Sequence, residues 1–513
     1  MMEVELKLSI NPKFKDALVR HPLFSGKGAS KPHEQTVSDT YFDTPDLQLR
    51  QSDIGLRVRR VNGGWVQNIK SGGTVHGGLH ARNEWESPVN GALPELGRLR
   101  DVVDDKAIRR HVRDAAAKKN GLAPVFTTNV KRTAWELHPA EGEHIECALD
   151  QGRVECGGKN TPINEFELEL KSGDPVHLFD LALALQKDIP LQIASKSKAD
   201  RGYALLDPTA PAAIKATRLE LKPAMSVEQA FQEIAFNTLA HIQDNADGVA
   251  ERHDVESLHQ MRVGMRRLRS ALSMYKRLLR LPADLQQELD WLATELGDAR
   301  DWDVLAGSTL PAVAQDLPDP TEIDSVQGAA KAKAGEHHVA AAAAVGSPRY
   351  THLMLAVSRW VQAAGWQDDE EMMNESANRL AQPVTKFARA TLKRDQRRLR
   401  ARADGLSEAT PEARHRVRIA AKKTRYAAEF FGSLFSPGKV QPYIKSLTGL
   451  QDELGFLNDA TVADRLLSDL PAAQPDLTAN VGFVRGFLAA RTTNDDRTII
   501  RLWKRFERIG IPR

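Results

Sequence analysis

The chain begins "MEVELKL" (Met2 to Leu8). Read as an extended strand, it puts Glu3, Glu5 and Lys7 on one side and Val4, Leu6 and Leu8 on the other. A single strand of this kind is ordinarily half wet and half dry. The later strands decide whether the charged side faces water. In "GLRVRR" (Gly55 to Arg60), Arg57 and Arg59 share a face opposite Leu56 and Val58. In "NEFELELKSG" (Asn164 to Gly173), Glu165, Glu167, Glu169 and Lys171 oppose Phe166, Leu168 and Leu170. "ARNEWE" groups Arg82, Glu84 and Glu86, and Lys70, Arg132 and Asp150 are further charges in strand-like surroundings. A solvated face usually mixes Thr, Ser and Gln with Lys. Here Arg, Lys and Glu recur strand after strand.

One arrangement accounts for this: a sheet closed into a barrel, apolar face outward under helices, charged face lining the interior. Buried charges of both signs persist only when paired or matched to ions. Clustered Glu offers hard oxygen ligands for Mg²⁺ or Mn²⁺. Clustered Arg and Lys hold phosphate oxygens. Acid and base in one lumen suit a metal-complexed polyanion. Ordinary amphipathic strands remain the alternative at this point.

The rest of the chain sets the frame. At 513 residues, two or three domains are expected. Net charge is +3, so any basic character is local. Two cysteines, Cys147 and Cys156, make neither a disulfide framework nor a zinc cluster and point to a reducing cytoplasm. No signal peptide or membrane span is expected. Period-two runs extend to about Leu206, interrupted by helix-like stretches from Asp105 to Lys119 and Pro175 to Lys187. "DPTAPAAIKATRLELKP" then reads as a linker. Beyond Ser226 the apolar spacing becomes helical. The alanine-rich "AAKAKAGEHHVAAAAAVG" separates two helical halves, as a helix or as a mobile spacer.

Several of these segments resemble the CYTH superfamily, the triphosphate tunnel metalloenzymes. Glu3-x-Glu5-x-Lys7 resembles its ExExK signature, and "YFDTPDLQLRQSDIGLRVRR" (Tyr41 to Arg60) resembles a longer and more specific family segment. "NIK" ending at Lys70, "ARNEWE", "KRTAWEL", "ALDQG", "FELELKSG" and "SKSKADRGY" follow in the family's order. Asn68 departs from it, standing where a threonine is expected. The resemblance covers residues 1–205 and implies an α+β domain built on an eight-stranded antiparallel tunnel that binds a triphosphate. It implies that Glu3, Glu5, Glu167 and Glu169 hold divalent metal, with Asp150 and Glu165 as helpers. It further implies that Lys7, Arg57, Arg59, Lys70, Arg82, Arg132, Lys198 and Arg201 grip phosphates. Lys7 is either a general base or a phosphate ligand.

The helical half contains a duplication. "HQMRVGMRRLR" (His259 to Arg269) and "HRVRIAAKKTR" (His415 to Arg425) both place basic residues at +3, +7, +8 and +10 from the histidine. These are Arg262, Arg266, Arg267 and Arg269, then Arg418, Lys422, Lys423 and Arg425. "ELGDARDWDV" and "ELGFLNDATV" follow, each with an Asp (Asp301, Asp459) four residues after a Gly. The histidine with +3, +7 and +10 spans an arc of roughly 80°. No acid lies between Glu256 and Asp284, so an absent anion is expected to complete the site. More base lies in "KFARATLKRDQRRLRARA". Few aromatics and no nucleic-acid signature make a base-free phosphate chain the better ligand.

This half resembles the CHAD domain from about Leu219 to the C-terminus. That resemblance implies an all-α domain of two pseudo-symmetric four-helix bundles, with a basic cleft that binds inorganic polyphosphate. The implied ligands are His259, Arg262, Arg266, Arg269, His415, Arg418, Lys422 and Arg425. The expected layout is therefore a tunnel domain over 1–205, a linker over 206–218 and a helical domain over 219–513. CYTH followed by CHAD resembles the arrangement of bacterial inorganic triphosphatases. The expected activity is metal-dependent cleavage of tripolyphosphate in the cytoplasm, with Mg²⁺ or Mn²⁺ and with polyphosphate granules as an associated site. A class IV adenylyl cyclase, a thiamine triphosphatase and a non-catalytic polyphosphate scaffold are the alternatives.

Overall fold

The computed structural model describes residues 2–26, 28–61, 63–118, 121–207, 212–406, 410–492 and 496–512. Residues 208–211 of the expected linker and Lys119 of the first expected helix lie outside these. The chain forms two compact units. One comprises Met1–Ala212 with Ser347–Ala363, the other Ala213–Gly346 with Ala364–Arg513.

The first unit is built on β1 (Met2–Ile10), β2 (His33–Asp43), β3 (Ile54–Val61), β4 (Gly64–His76), β5 (Leu79–Val89), β6 (Ala123–Leu137), β7 (His144–Cys156) and β8 (Lys159–Ser172). These eight run in the order β5-β4-β3-β2-β6-β7-β8-β1, and β1 pairs back with β5. Every pairing is antiparallel, so the sheet closes and leaves no edge within the ring. A short β9 (Leu191–Ile193) adds to the end of β1. Tight turns make this connectivity possible. Gly157 and Gly158, both at positive φ (+54° and +82°), link β7 to β8 in a two-residue hairpin that side chains with a Cβ resist.

Period-two alternation then sorts the side chains. Leu6, Leu8, Trp135, Leu149, Phe166 and Leu168 point outward under Leu178, Phe179 and Leu185 of the Val176–Gln186 helix. Phe42, Leu56, Val58, Ile69 and Trp85 pack under Ile108 and Val112 of the Lys106–Ala116 helix. Each such fully buried side chain contributes about 1.5–3 kcal/mol. The two helices expected from sequence thus cover two sectors of the barrel's outer face.

The interior is not charged throughout, which corrects the sequence reading. Val37 and Tyr41 share the face of Asp39 on β2, and Phe126 and Val130 share that of Arg132 on β6. With Val154, Ile163 and Tyr203 they form one apolar cluster. The Lys198–Leu206 helix seats against it so closely that a Cβ at Gly202 would lie 2.2 Å from the Phe126 ring.

A second finding concerns chain order. The Pro348–Gln362 helix, from the middle of the helical sequence, packs in the barrel unit. Leu355 is fully buried in the barrel's outer core, Arg359 pairs with Asp180, and Gln186 Nε2 donates to the Pro348 carbonyl at 2.8 Å. Helical periodicity cannot reveal which neighbour a helix chooses.

The second unit is helical. Val227–Gln243, Val255–Tyr275, Ala283–Val304 and Asp324–Val345 form its first half. Val384–Ala403, Pro411–Phe430, Pro437–Ala473, Thr478–Thr492 and Asp496–Glu507 form the second. The alanine-rich stretch is therefore helix, not spacer. Met261, Met265, Leu268 and Tyr275 are buried, as the helical spacing predicts. Trp302, Leu305 and Val326 pack with Leu466, Leu467 and Val484, so the two halves share a core. Among the described residues no helix is long and apolar enough to cross a membrane.

Candidate functional site

The barrel encloses a cavity of about 350 Å³, within the size range of small-ligand sites. Glu3, Glu5, Lys7, Arg57, Arg59, Lys70, Arg82, Arg132, Glu167, Glu169 and Lys198 all line it, as the sequence predicts. Asp150 and Glu165 do not line it; both are 0% exposed and stand behind the lining. Arg201 reaches Glu165 at 2.7 Å rather than the cavity.

Cross-strand register explains the pairings. Lys7 stands opposite Glu167, donating to it at 2.5 Å and to Glu5 at 2.7 Å. Arg132 stands opposite Asp150, which it grips with two nitrogens at 2.8 and 2.7 Å while donating to Glu167 at 2.9 Å. Lys198 reaches Asp150, Glu165 and Glu167 at 2.8, 2.6 and 2.9 Å. Its helix begins with a capping box, in which Ser197 and Asp200 bond reciprocally and Arg50 holds Asp200 at 2.7 Å. On the opposite wall Asp39 pairs with Arg57 and Arg59, and Lys70 binds Glu3 at 2.5 Å.

These contacts set the charge states. Burial opposes the charge of Lys7, but Glu167 and Glu5 outweigh it and hold the ammonium well above the usual lysine range. Burial likewise opposes the Glu167 carboxylate, and Lys198, Lys7 and Arg132 overcome that and keep it far below the usual glutamate range. Asp150 and Asp39 are lowered against burial in the same way, by Lys198 with Arg132 and by Arg57 with Arg59. Glu169 is the exception. Burial raises it, and the neighbouring Glu3 and Glu146 carboxylates add to the rise against the opposing Lys171.

Glu146 and Arg50 are lining residues that the sequence reading missed, and Glu84 and Lys171, which it placed on charged faces, line the cavity without having been given a role. The only sequence signal of Glu146 is its alternation with Asp150 along "HIECALDQ". In the fold, Glu5, Glu169 and Glu146 form one row across β1, β8 and β7. Asn68, the departure from the family pattern, bonds Glu84 and Glu86 across β4 and β5. Arg82 lines the cavity with no hydrogen bond or ion pair to any described residue.

Among the described residues, no three His, Cys, Asp or Glu side chains are gathered as a ready metal cage. Glu3, Glu5 and Glu167 each face a cation, and Asp150 is sealed behind Arg132 and Lys198. The donor chemistry still fits a hard divalent ion. Glu5, Glu169 and Glu146 stand in register, and like charges directly opposite one another repel, although Lys7 pairs with Glu5 and Lys171 with Glu169 and Glu146.

In the helical unit, the repeated stripes meet. The Val255–Tyr275 and Pro411–Phe430 helices bring Arg262, Arg266, Arg418 and Lys422 into one basic cluster. Burial, then Arg266 and Arg300 against the pull of Asp301, brings Arg262 down to about 10. Burial with Arg418 and Arg266 brings Lys422 down to about 7. Arg418 is lowered by burial and by Arg266. Among the described residues, the buried Nε atoms of Arg266 and Arg418 have no partner. His259 lies beside this cluster, lowered by burial and by Arg300, and its Nδ1 likewise has no partner among the described residues. Not every predicted ligand is free. Arg269 pairs with Asp290 and Arg425 with Glu429 and Gln451, so the expectation of unpaired cations fails at +10. His415 is exposed. The repeated Asp301 and Asp459 line one small cavity, and Arg262 and Arg465 each approach Asp301 to 3.7 Å.

Known proteins bracket these two sites. The CYTH domain model matches residues 1–203 and the CHAD domain model residues 233–468. An inorganic triphosphatase of Haemophilus influenzae is 33% identical over 207 residues, 40% of this chain and 55% of that protein. A thiamine-triphosphatase of Macaca fascicularis is 29% identical over 160 residues, 31% of this chain and 64% of that protein. The chain thus spans between half and two thirds of the length of these relatives. The crystal structure of the CHAD domain from Ricinus communis is 37% identical, with a TM-score of 0.53, covering 59% of this chain and 99% of that domain.

Proposed function

Because the chain belongs to the CYTH family through residues 1–203 and to the CHAD family through residues 233–468, we propose that it is a divalent-metal-dependent inorganic triphosphatase tethered to a polyphosphate-binding domain. The reaction is hydrolysis of tripolyphosphate to pyrophosphate and phosphate. The observation that carries this reading is the closed lumen itself. Cations (Arg57, Arg59, Lys70, Arg82) and carboxylates (Glu3, Glu5, Glu146, Glu169) line it together, and it holds about 350 Å³.

In this reading Arg57, Arg59, Lys70 and Arg82 hold the phosphate chain, with Arg82 uncommitted and ready for it. Lys7 acts as a phosphate ligand, since its ammonium is held firmly protonated between Glu5 and Glu167. Arg132, Lys198 and Arg201 position Asp150, Glu165 and Glu167 and so keep the lower lumen rigid. Glu3, Glu5, Glu169 and Glu146 would hold Mg²⁺ or Mn²⁺, with Glu167 and Asp150 as nearby acids. The bound ion supplies charge neutralisation and an acidified water. Phosphoryl transfer asks little more than positioning and such neutralisation. Positioning is what Lys7 and the paired arginines provide.

The basic cluster of the helical unit binds polyphosphate in this proposal. It localises the enzyme on granules or raises the local concentration of short chains at the lumen. The thiamine-triphosphatase relative makes an organic triphosphate the second reading. The test is phosphate release from tripolyphosphate, ATP and thiamine triphosphate with Mg²⁺ or Mn²⁺, for wild type and Glu5→Ala. Absence of metal-dependent release from all three would sink the enzyme reading. Preference for thiamine triphosphate would replace the substrate, and pyrophosphate release from ATP would indicate a cyclase.

A further inference from the structure

The +8 position breaks the duplication. In the first copy it is Arg267, which is buried, donates to Asn237 Oδ1 at 2.8 Å and lies 5.4 Å over the Phe430 ring. In the second copy it is Lys423, which is exposed and, among the described residues, makes only a 3.4 Å bond to Ser273 Oγ. One copy has turned this cation into packing. The other leaves it facing out.

Lys423 does not stand alone. The bond to Ser273 sets it against the last turn of the Val255–Tyr275 helix, which ends at its C-cap, Lys276, and Arg398 and Arg402 of the Val384–Ala403 helix lie near enough to act on its charge. Arg402 Nη1 also reaches the Arg416 carbonyl at 3.5 Å, which fixes it beside the Pro411–Phe430 helix. All four cations are exposed. Burial, then Arg402, Lys276 and Arg398, hold Lys423 below the usual lysine range, and Asp395 alone pulls the other way. Asp395 is itself bonded to Arg394 at 2.9 Å. Among the described residues, three helices therefore converge like charges on one spot with Asp395 as the acid that acts against them. No aromatic side chain belongs to the group, so base stacking has no platform there.

We propose that Lys276, Arg398, Arg402 and Lys423 form a second phosphate-chain contact, distinct from the Arg262, Arg266, Arg418 and Lys422 cluster. It takes the continuation of the same polyphosphate strand. The inference rests on the polyphosphate reading of the helical unit. Lys422 and Lys423 are consecutive on one helix, about 100° apart around its axis. A flexible anion that leaves one cluster by rounding that helix meets the other at once. Two contacts on one strand act as a bivalent site, so long chains gain over short ones.

The test uses the full-length protein in the presence of a chelator, which stops turnover, and long-chain inorganic polyphosphate titrated at several salt concentrations. In Lys276→Ala/Arg398→Ala/Arg402→Ala, three exposed positions, affinity is expected to fall at least about tenfold. The slope of log affinity against log salt is expected to flatten by about 2, as three phosphate contacts are lost. Tripolyphosphate turnover, restored with metal, stays at the wild-type rate. Wild-type affinity and slope in this variant, with binding lost in Arg262→Ala/Arg418→Ala, would overturn the second contact and leave the first standing. Loss of binding to single-stranded RNA alone, with polyphosphate unaffected, would overturn the choice of ligand. Failure of wild type to bind polyphosphate at all would overturn both this inference and the reading beneath it.

Discussion

Glu5 on β1 stands directly opposite Glu169 on β8. Glu169 in turn stands opposite Glu146 on β7, so three carboxylates form one row across adjacent strands. Directly opposed like charges destabilise a sheet by a few tenths of a kcal/mol to about 1 kcal/mol. Lys171, 2.7 Å from Glu169 and 3.6 Å from Glu146, offsets part of this repulsion, but burial and the Glu3 and Glu146 carboxylates still leave Glu169 raised, and a bound divalent cation would offset the rest. Glu169→Gln is therefore expected to stabilise the chelated protein by roughly 0.5 kcal/mol while lowering metal-supported turnover at least about 100-fold. Urea unfolding in chelator and a phosphate-release assay read the two effects separately. A variant that is less stable in chelator and fully active would remove the row from the site.

The lower lumen gives a second expectation. Asp150 is buried and gripped by Arg132 and Lys198. Arg132→Ala strands Asp150 and Glu167 with fewer partners, and breaking a buried pair from one side costs about 3–5 kcal/mol. Equilibrium unfolding measures the loss.

The acid response follows from the same groups. Asp39, Asp150 and Glu167 are all depressed in the folded state, below ordinary values of 3.8 and 4.5. Their stabilisation is thus complete above those ordinary values and is lost as pH falls through the depressed ones. Asp39→Asn should flatten the decline in stability below about pH 4. An unchanged acid limb would mean that Asp39 ionises alike in the folded and unfolded chain.

Lys422 carries the pH dependence of the basic cluster. Burial and its arginine neighbours bring it to about 7, so it is half neutral near neutrality. A bound polyanion favours the ammonium. Polyphosphate affinity should therefore rise as pH falls through about 7, with proton uptake on binding. For the free protein the sign is opposite. The unfolded lysine keeps its proton up to its ordinary 10.5, so folding stability increases with pH between about 7 and 10.5. Lys422→Arg should abolish proton uptake, as calorimetry in buffers of different ionisation heat would reveal.

Leu355 tests the unexpected helix. It is fully buried in the outer core of the barrel although it lies in the middle of the helical sequence. Leu355→Ala should cost the barrel unit about 2–5 kcal/mol. Loss of tripolyphosphate turnover on mild heating, earlier than in wild type, would register it. Unaltered heat inactivation would mean that Pro348–Gln362 adds nothing to the barrel's stability.

Much of the fold was legible because alternation is local. Glu3, Glu5 and Lys7, then Arg57 and Arg59, then Glu167 and Glu169 can each be assigned a side from two or three neighbours in the chain. The repeated histidine and cation register was legible for the same reason at helical spacing. What escaped were residues whose meaning lies in a partner strand. Glu146 looks like one more charge until Glu169 is placed opposite it. Arg269 and Arg425 look free until Asp290 and Glu429 arrive. Val37 and Tyr41 were assigned no role because an apolar residue on a charged face carries no signal of its own.

By itself, then, the sequence determined which side of each strand is charged, that the helical half is a duplication, and which family patterns the chain follows. These depend on spacing of a few residues, set by backbone periods of 2 and 3.6. Only the tertiary structure decided which charges meet. It closed β1 onto β5, set Glu5, Glu169 and Glu146 in one row, sealed Asp150 behind Arg132, and drew Pro348–Gln362 into the barrel unit. Those outcomes are settled by burial and pairing between residues up to hundreds of positions apart. A carboxylate's partner, and with it its charge state, exists only once the chain has folded.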